Sequence, residues 1–141
     1  MSSRLFQKVR EELGLCYSIF TYQSFHSRAG VTGVYVGTRP ATADQAAEAV
    51  RDELATIADE GLSEEELLRT KQQVKGQIML ALESTSARLY RLAAFALHEE
   101  PFLGLDGLLA KLDTVSKDDI RRVAAKYYNP STKLELRLGP G

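Results

Sequence analysis

Two short runs decide the fold of this 141-residue chain: CYSIFTYQSFH at 16–26 and VTGVYVGT at 31–38. Both favour β-branched, aromatic and hydroxyl residues, which suit a pleated, half-buried surface. The intervening HSRAG (26–30) is turn-length. The pair therefore reads as an antiparallel hairpin with a loop of about five residues. Gly33 and Gly37 share one strand face, since alternate residues point the same way. Their spacing predicts a bulge or close backbone packing, with a peptide backbone passing nearby as the other reading.

Working outward, the hairpin is flanked by helical patterns. Upstream, Leu5, Phe6, Val9 and Leu13 fall on one helical face, and Gly14 stands where a left-handed cap belongs. Downstream, Arg39-Pro40 ends the second strand, and Thr42 to Gln45 reads as a capping box opening a helix through about Asp59. Ala46, Val50, Leu54 and Ile57 form its buried stripe, and Gly61 stops it. Ser63 to Glu66 is a second capping box with acids in the first turn, where the helix dipole favours them. Leu67, Val74, Ile78, Ala81 and Leu82 carry that helix to a break at Ser84-Thr85-Ser86. Leu89, Leu92, Ala93, Ala96 and Leu97 make the next helical stripe, which Pro101 ends.

A short helix follows from Leu105 to Leu112. Ser116 to Asp119 caps another, with Ile120, Val123, Ala124 and Tyr127 inward and Asn129-Pro130 as its stop. From Thr132 to Leu138, leucines alternate with Lys133, Glu135 and Arg137, the pattern of a half-exposed strand, and Gly139-Pro140-Gly141 is a frayed end. Helix would thus take about 60% of the chain, well above the usual third. Helices gathered after strands imply an α+β fold with an antiparallel or mixed sheet, covered on one face by several helices. Three strands are a meagre sheet for so many helices. The pattern also begins inside a helix, so residues upstream are expected to belong to the same, single domain spanning 1–141.

Composition narrows the function. With 44% hydrophobic and 26% charged residues, the chain has an ordinary globular mix, which excludes a disordered or collagen-like class. A net charge of −1 argues against a nucleic-acid face, and the basic strip Arg121-Arg122 with Lys126 is offset by Asp118 and Asp119. The one cysteine, Cys16, cannot form an internal disulfide and reads as a small buried hydrophobe. No apolar run approaches a membrane span, and no signal-peptide pattern opens the chain, so a cytoplasmic location is expected.

Catalytic signatures are sparse. Zinc peptidases use H-x-x-E-H or H-E-x-x-H on a helix, and neither His26 nor His98 begins such a motif. His98 sits at a helix C-terminus, where an imidazolium suits the dipole. There is no G-x-S-x-G elbow and no phosphate-cradling glycine loop. The acidic runs Glu64-Glu65-Glu66 and Glu99-Glu100 read as solvated caps. What remains is Arg10 with Tyr17, seven residues apart across the helix–strand junction. A guanidinium and a phenol are both donors suited to a peptide carbonyl or a carboxylate, and a phenol can also donate to a developing oxyanion. A surface Arg and a core Tyr is the alternative.

The opening MSSRLFQKVREELGLCYS (1–18) resembles a signature of the pitrilysin/insulinase family of zinc metallopeptidases, the branch that includes mitochondrial processing peptidase and its bacterial relatives. GLSEEEL (61–67), Lys71 through Lys75-Gly76, and LESTSAR (82–88) are similar to the same part of that family, its second, non-catalytic half. The resemblance implies two homologous halves closing around a peptide. The first half would hold zinc through an inverted H-x-x-E-H motif whose Glu activates water. The second half would offer an Arg and a Tyr to the substrate backbone near the scissile bond, and Arg10 and Tyr17 match those positions. Tyr17 is then expected to polarise the carbonyl or its oxyanion, and Arg10 to anchor the peptide. The glycine-bearing hairpin would lie near the cavity wall.

The zinc motif is missing, so the resemblance implies no cofactor in this chain, zinc in a partner catalytic half or subunit, and no activity alone. The family's N-terminal strands are missing too, which makes the chain a partial metallopeptidase-like half domain. The expected partners are the zinc-bearing half, a peptide substrate and, through apolar surface left uncovered, a second copy of the chain in a dimer. Neither nucleic acid nor membrane is expected. Two other readings stay open: a non-peptidase assembly relative like the core subunits of the respiratory bc1 complex, and a helical interaction domain without an active-site role.

Overall fold

The hairpin forms as its residues dictate. Ser18–Phe25 (β1) pairs antiparallel with Gly30–Gly37 (β2), from Ser18 opposite Gly37 to Phe25 opposite Gly30. The His26 N–H donates to the Ala29 carbonyl at 2.8 Å, closing the turn. These features come from a computed structural model that describes residues 3–26, 28–128 and 133–139. The register is continuous, without a bulge, so the two glycines serve close packing instead. A Cβ on Gly33 would stand 2.5 Å from Cζ of Tyr22, its cross-strand partner. The ring takes the space that a side chain would fill.

The fold is α+β, as expected, and divides into two compact units: Met1–Gly61 with Arg121–Gly141, and Leu62–Ile120. In the first, the inner face of the hairpin carries Ile19, Val34 and Val36 onto a core of Leu5, Val9, Cys16, Ala46 and Val50. The outer face presents Phe20 stacked on Tyr35, ring centroids 4.9 Å apart, with both rings exposed. Two strands, not three, are present among the described residues.

The N-terminal helix differs from the α-helix that its periodicity predicts. Over Phe6–Glu12 it is a π-helix, and the Leu13 N–H donates to the Lys8 carbonyl, 3.1 Å away. One extra residue in the turn rotates the face. Leu5 and Val9 therefore stay buried while Leu13 swings out to 46% exposure. Gly14 follows at φ +61, the left-handed geometry expected of it.

The first α-helix (α1, Ala43–Glu60) is preceded by a 3-10 turn, Pro40–Thr42. The predicted Thr42–Gln45 capping box does not form, because the Thr42 hydroxyl bonds the Leu15 carbonyl instead, at 3.3 Å. Ala46 and Val50 of α1 are buried, Leu54 packs half-buried against the core, and Arg4 pairs with Glu53 at 2.5 Å.

The expected strand from Thr132 to Leu138 is not formed over 133–138, and Thr132 lies outside the described residues. Its charged side is satisfied by α1: Glu135 pairs with Arg51 at 2.8 Å, and Arg137 with Asp44 at 2.5 Å. Leu134, Leu136 and Leu138 are exposed, lining an open cleft with Val34 and Val36 of the hairpin and Val50 of α1, and have no ladder partner among the described residues. The predicted helix stop at Asn129-Pro130 also lies outside the described residues, as do Met1, Ser2, Ser27, Pro140 and Gly141.

In the second unit, α2 (Glu64–Ala81) opens with the full capping box: the Ser63 hydroxyl accepts from the Glu66 N–H at 3.2 Å, and the Glu66 carboxylate accepts from the Ser63 N–H at 2.9 Å. The Ser84 hydroxyl caps α3 (Thr85–Leu97) after the predicted break. Lys71 and Lys75 tie α2 to Asp113 at the end of α4 (Leu105–Asp113), through its carbonyl at 2.8 Å and its carboxylate at 2.5 Å. Leu89, Leu92 and Leu97 of α3 form the predicted stripe, but all three are exposed.

The last helix, α5 (Lys117–Tyr127), carries its Ser116–Asp119 cap. Of its four predicted inward residues, only Ala124 is buried; Ile120 is half-buried, and Val123 and Tyr127 are exposed. An apolar stripe is buried only along the length that a facing element covers. Among the described residues, no helix is long and apolar enough to cross a membrane.

Candidate functional site

The junction between the N-terminal helix and β1 is fixed by backbone bonds. The Leu15 N–H donates back to the Val9 carbonyl at 3.0 Å, and the Tyr17 N–H donates to the Gly37 carbonyl at 2.9 Å. Between them the Thr38 hydroxyl donates to the Leu15 carbonyl at 2.5 Å. These bonds seat the end of the helix, the start of β1 and the end of β2 against one another.

Arg10 lies in the last turn of the π-helix, exposed. Its guanidinium carbon stands 4.8 Å from the Phe6 ring centroid, a cation–π distance, and Nε lies 3.8 Å from a Glu11 oxygen. Tyr17 is also exposed, at 66%, which removes the core-tyrosine alternative. Its ring lies across Gly37, and its hydroxyl has no hydrogen-bond partner among the described residues.

Cys16, the residue before Tyr17, feels the Arg10 charge. The thiol is buried, and burial pushes its pKa up, while the Arg10 charge pulls the other way. Arg10 therefore acts on the residue directly before Tyr17. Cys16, Tyr17, Gly14 and Leu15 line a small cleft whose remaining wall is Arg39. Arg39 carries no sequence motif; its one signal is a cation two residues after β2 and directly before Pro40.

The remaining candidates stand apart from this cleft's lining. His26 directly follows β1, its Nε2 3.2 Å from the Ser24 hydroxyl. His98 is the residue after α3, and the Glu99 that follows it has φ 54. Among the described residues, no group of three or more His, Cys, Asp or Glu side chains is placed to hold a metal ion.

The family of the chain is given by comparison with known proteins. The family model described as "Peptidase M16 inactive domain" matches residues 1–74. An uncharacterized zinc protease of Streptomyces coelicolor is 40% identical over 99% of this chain and 30% of its own length. One from Bacillus subtilis is 35% identical over 96% of this chain and 33% of its own length. The crystal structure of a conserved protein from Enterococcus faecalis superposes with a TM-score of 0.73 at 28% identity, covering 86% of this chain and 28% of that one. The chain spans about a third of the length of these relatives.

Proposed function

Since this chain belongs to the family of Peptidase M16 inactive domains, we propose that it is the zinc-free, substrate-contacting half of a zinc metalloendopeptidase, inert alone and completed by a zinc-bearing half or subunit. Arg10 anchors the peptide main chain by donating to its carbonyl oxygens. Tyr17 donates its phenolic proton to the scissile carbonyl and holds that bond more tightly as the oxygen gains negative charge. The hydrolytic chemistry itself resides in the other half, which carries the metal.

The observation that carries this reading is the Tyr17 hydroxyl. It belongs to an exposed side chain, is unpartnered among the described residues, and is borne on a ring that lies across Gly37. A phenolic donor open to solvent is available to an incoming carbonyl oxygen. Arg10 supports the reading because it projects from the same junction and is always charged.

The test uses this chain assembled with its zinc-bearing half and a fluorogenic peptide. Tyr17→Phe is expected to lower kcat by about a hundredfold, the usual effect of removing one oxyanion donor. Arg10→Ala should lower kcat/KM, and Arg10→Lys should recover only part of it, since an ammonium lacks the planar fork. Cleavage at the wild-type rate by Tyr17→Phe would end the oxyanion role. No cleavage by any assembled pair would favour an assembly role instead.

A further inference from the structure

We propose that Arg39 is a specificity-determining residue, and that the cleft it shares with Gly14, Leu15, Cys16 and Tyr17 seats an acidic side chain of the bound peptide. The inference rests on the reading of Arg10 and Tyr17 as the main-chain grip, and it adds the class of substrate that the grip selects.

Position comes first. Arg39 has an extended backbone, φ −82 and ψ 150, and is followed by Pro40, which fixes the onward path. The residues that bracket it are pinned to the cleft's own floor. Thr38 donates to the Leu15 carbonyl at 2.5 Å, Thr42 donates to the same oxygen at 3.3 Å, and the two hydroxyls lie 2.8 Å apart. The Thr42 N–H also donates to the Arg39 carbonyl at 3.0 Å, which closes the turn. Arg39 is thus an exposed side chain on an immobilised backbone, beside the tyrosine proposed to meet the scissile bond.

Charge comes second. The cleft wall holds one guanidinium and no carboxylate. Among the described residues the Arg39 side chain has no acidic partner, in contrast to Arg4, Arg51 and Arg137, which are each paired with one. Arg10 lies outside the cleft's lining, with its Nε 3.8 Å from a Glu11 oxygen, and its charge lowers the pKa of the Cys16 thiol. A cleft whose lining holds one unpaired guanidinium and no carboxylate favours an incoming carboxylate, which an Arg fork can take with two parallel hydrogen bonds.

The experiment compares kcat/KM of the assembled protease on peptide pairs that differ only by Glu against Gln, placed in turn at each position flanking the cut. Wild type is expected to prefer Glu at one position by about fivefold, the scale of an exposed charge pair. Arg39→Gln should bring that ratio to about one, and Arg39→Glu should turn the preference toward Lys. Matched peptides with a free and an amidated C-terminus separate a side-chain carboxylate from a terminal one; equal ratios for both support the side chain, and a ratio that disappears on amidation overturns it. The proposal also fails if wild type shows no acidic preference at any position, or if Arg39→Gln slows both members of each pair equally. Failure of the underlying grip looks different, because Tyr17→Phe would then leave every peptide cut at the wild-type rate.

Discussion

The Tyr17 ring lies across Gly37: a Cβ there would stand 2.7 Å from Cε2 of the ring, while the Tyr17 N–H donates to the Gly37 carbonyl at 2.9 Å. Gly37→Ala must therefore displace the phenol. Stability should change little, because the atoms that must move are the end of an exposed side chain and not a packed core. Activity of the assembled protease should fall by more than the folded fraction explains, since small misplacements of a catalytic donor are costly. Gly33→Ala is the control, because it displaces Tyr22 by the same geometry but leaves Tyr17 untouched. Urea unfolding and peptide cleavage on both variants check this; equal activity losses would contradict it.

Cys16 reports on Arg10 without any substrate. Burial raises the thiol's pKa and the Arg10 cation lowers it, so the thiolate fraction near neutral pH is small and depends on that cation. Removing the cation raises the pKa further, which means less thiolate and slower reaction. Arg10→Ala should slow modification by a disulfide reagent at pH 8, and Arg10→Lys should keep most of the rate. A faster reaction in Arg10→Ala would show that Arg10 shields the thiol instead of acting on its charge.

Ser63 and Glu66 form a reciprocal cap at the start of α2, at 3.2 and 2.9 Å. Ser63→Ala should cost about 1 kcal/mol, the usual value of an N-cap side chain. Denaturant unfolding followed by circular dichroism measures it, and Ser63→Asp should restore the loss, since a carboxylate both caps and suits the dipole. A loss below a few tenths would mean that the helix end is held by other contacts.

These positions also mark how far local sequence carries. Ser63 and Glu66 need only each other, so the box was legible, as were Gly14 and Gly61 at positive φ. Thr42 has the same local signature, yet its hydroxyl serves Leu15, which is distant in sequence, and the cap is lost. The π-turn over Phe6–Glu12 was illegible because its cause is the docking of the helix end on the hairpin. The leucines at 134, 136 and 138 alternate correctly, but a strand needs a neighbour, and pairing is a tertiary fact. Arg10 and Tyr17 were singled out through the family resemblance alone; Arg39 has no motif and emerges only when folding brings it beside Tyr17.

The segment after residue 132 is held by charge, which gives it a definite pH and salt dependence. Glu135 accepts from Arg137 at 2.6 Å and from Arg51 at 2.8 Å, and Arg137 reaches Asp44 at 2.5 Å. The Arg137 hydrogen bond, with the Arg137 and Arg51 charges, holds the Glu135 carboxyl below its ordinary value of 4.5. A depressed folded-state pKa stabilises the seated segment above the unfolded value, and that contribution is lost as pH falls through the depressed one. These groups are exposed, so salt should weaken the effect as acid does. An NMR titration of the Glu135 side chain should give a midpoint below that of an unfolded peptide of the same sequence. Arg137→Gln should move the midpoint back up, and so should high salt. A midpoint equal to the peptide's in the unmodified chain would mean that this segment is not seated on α1 through its charges.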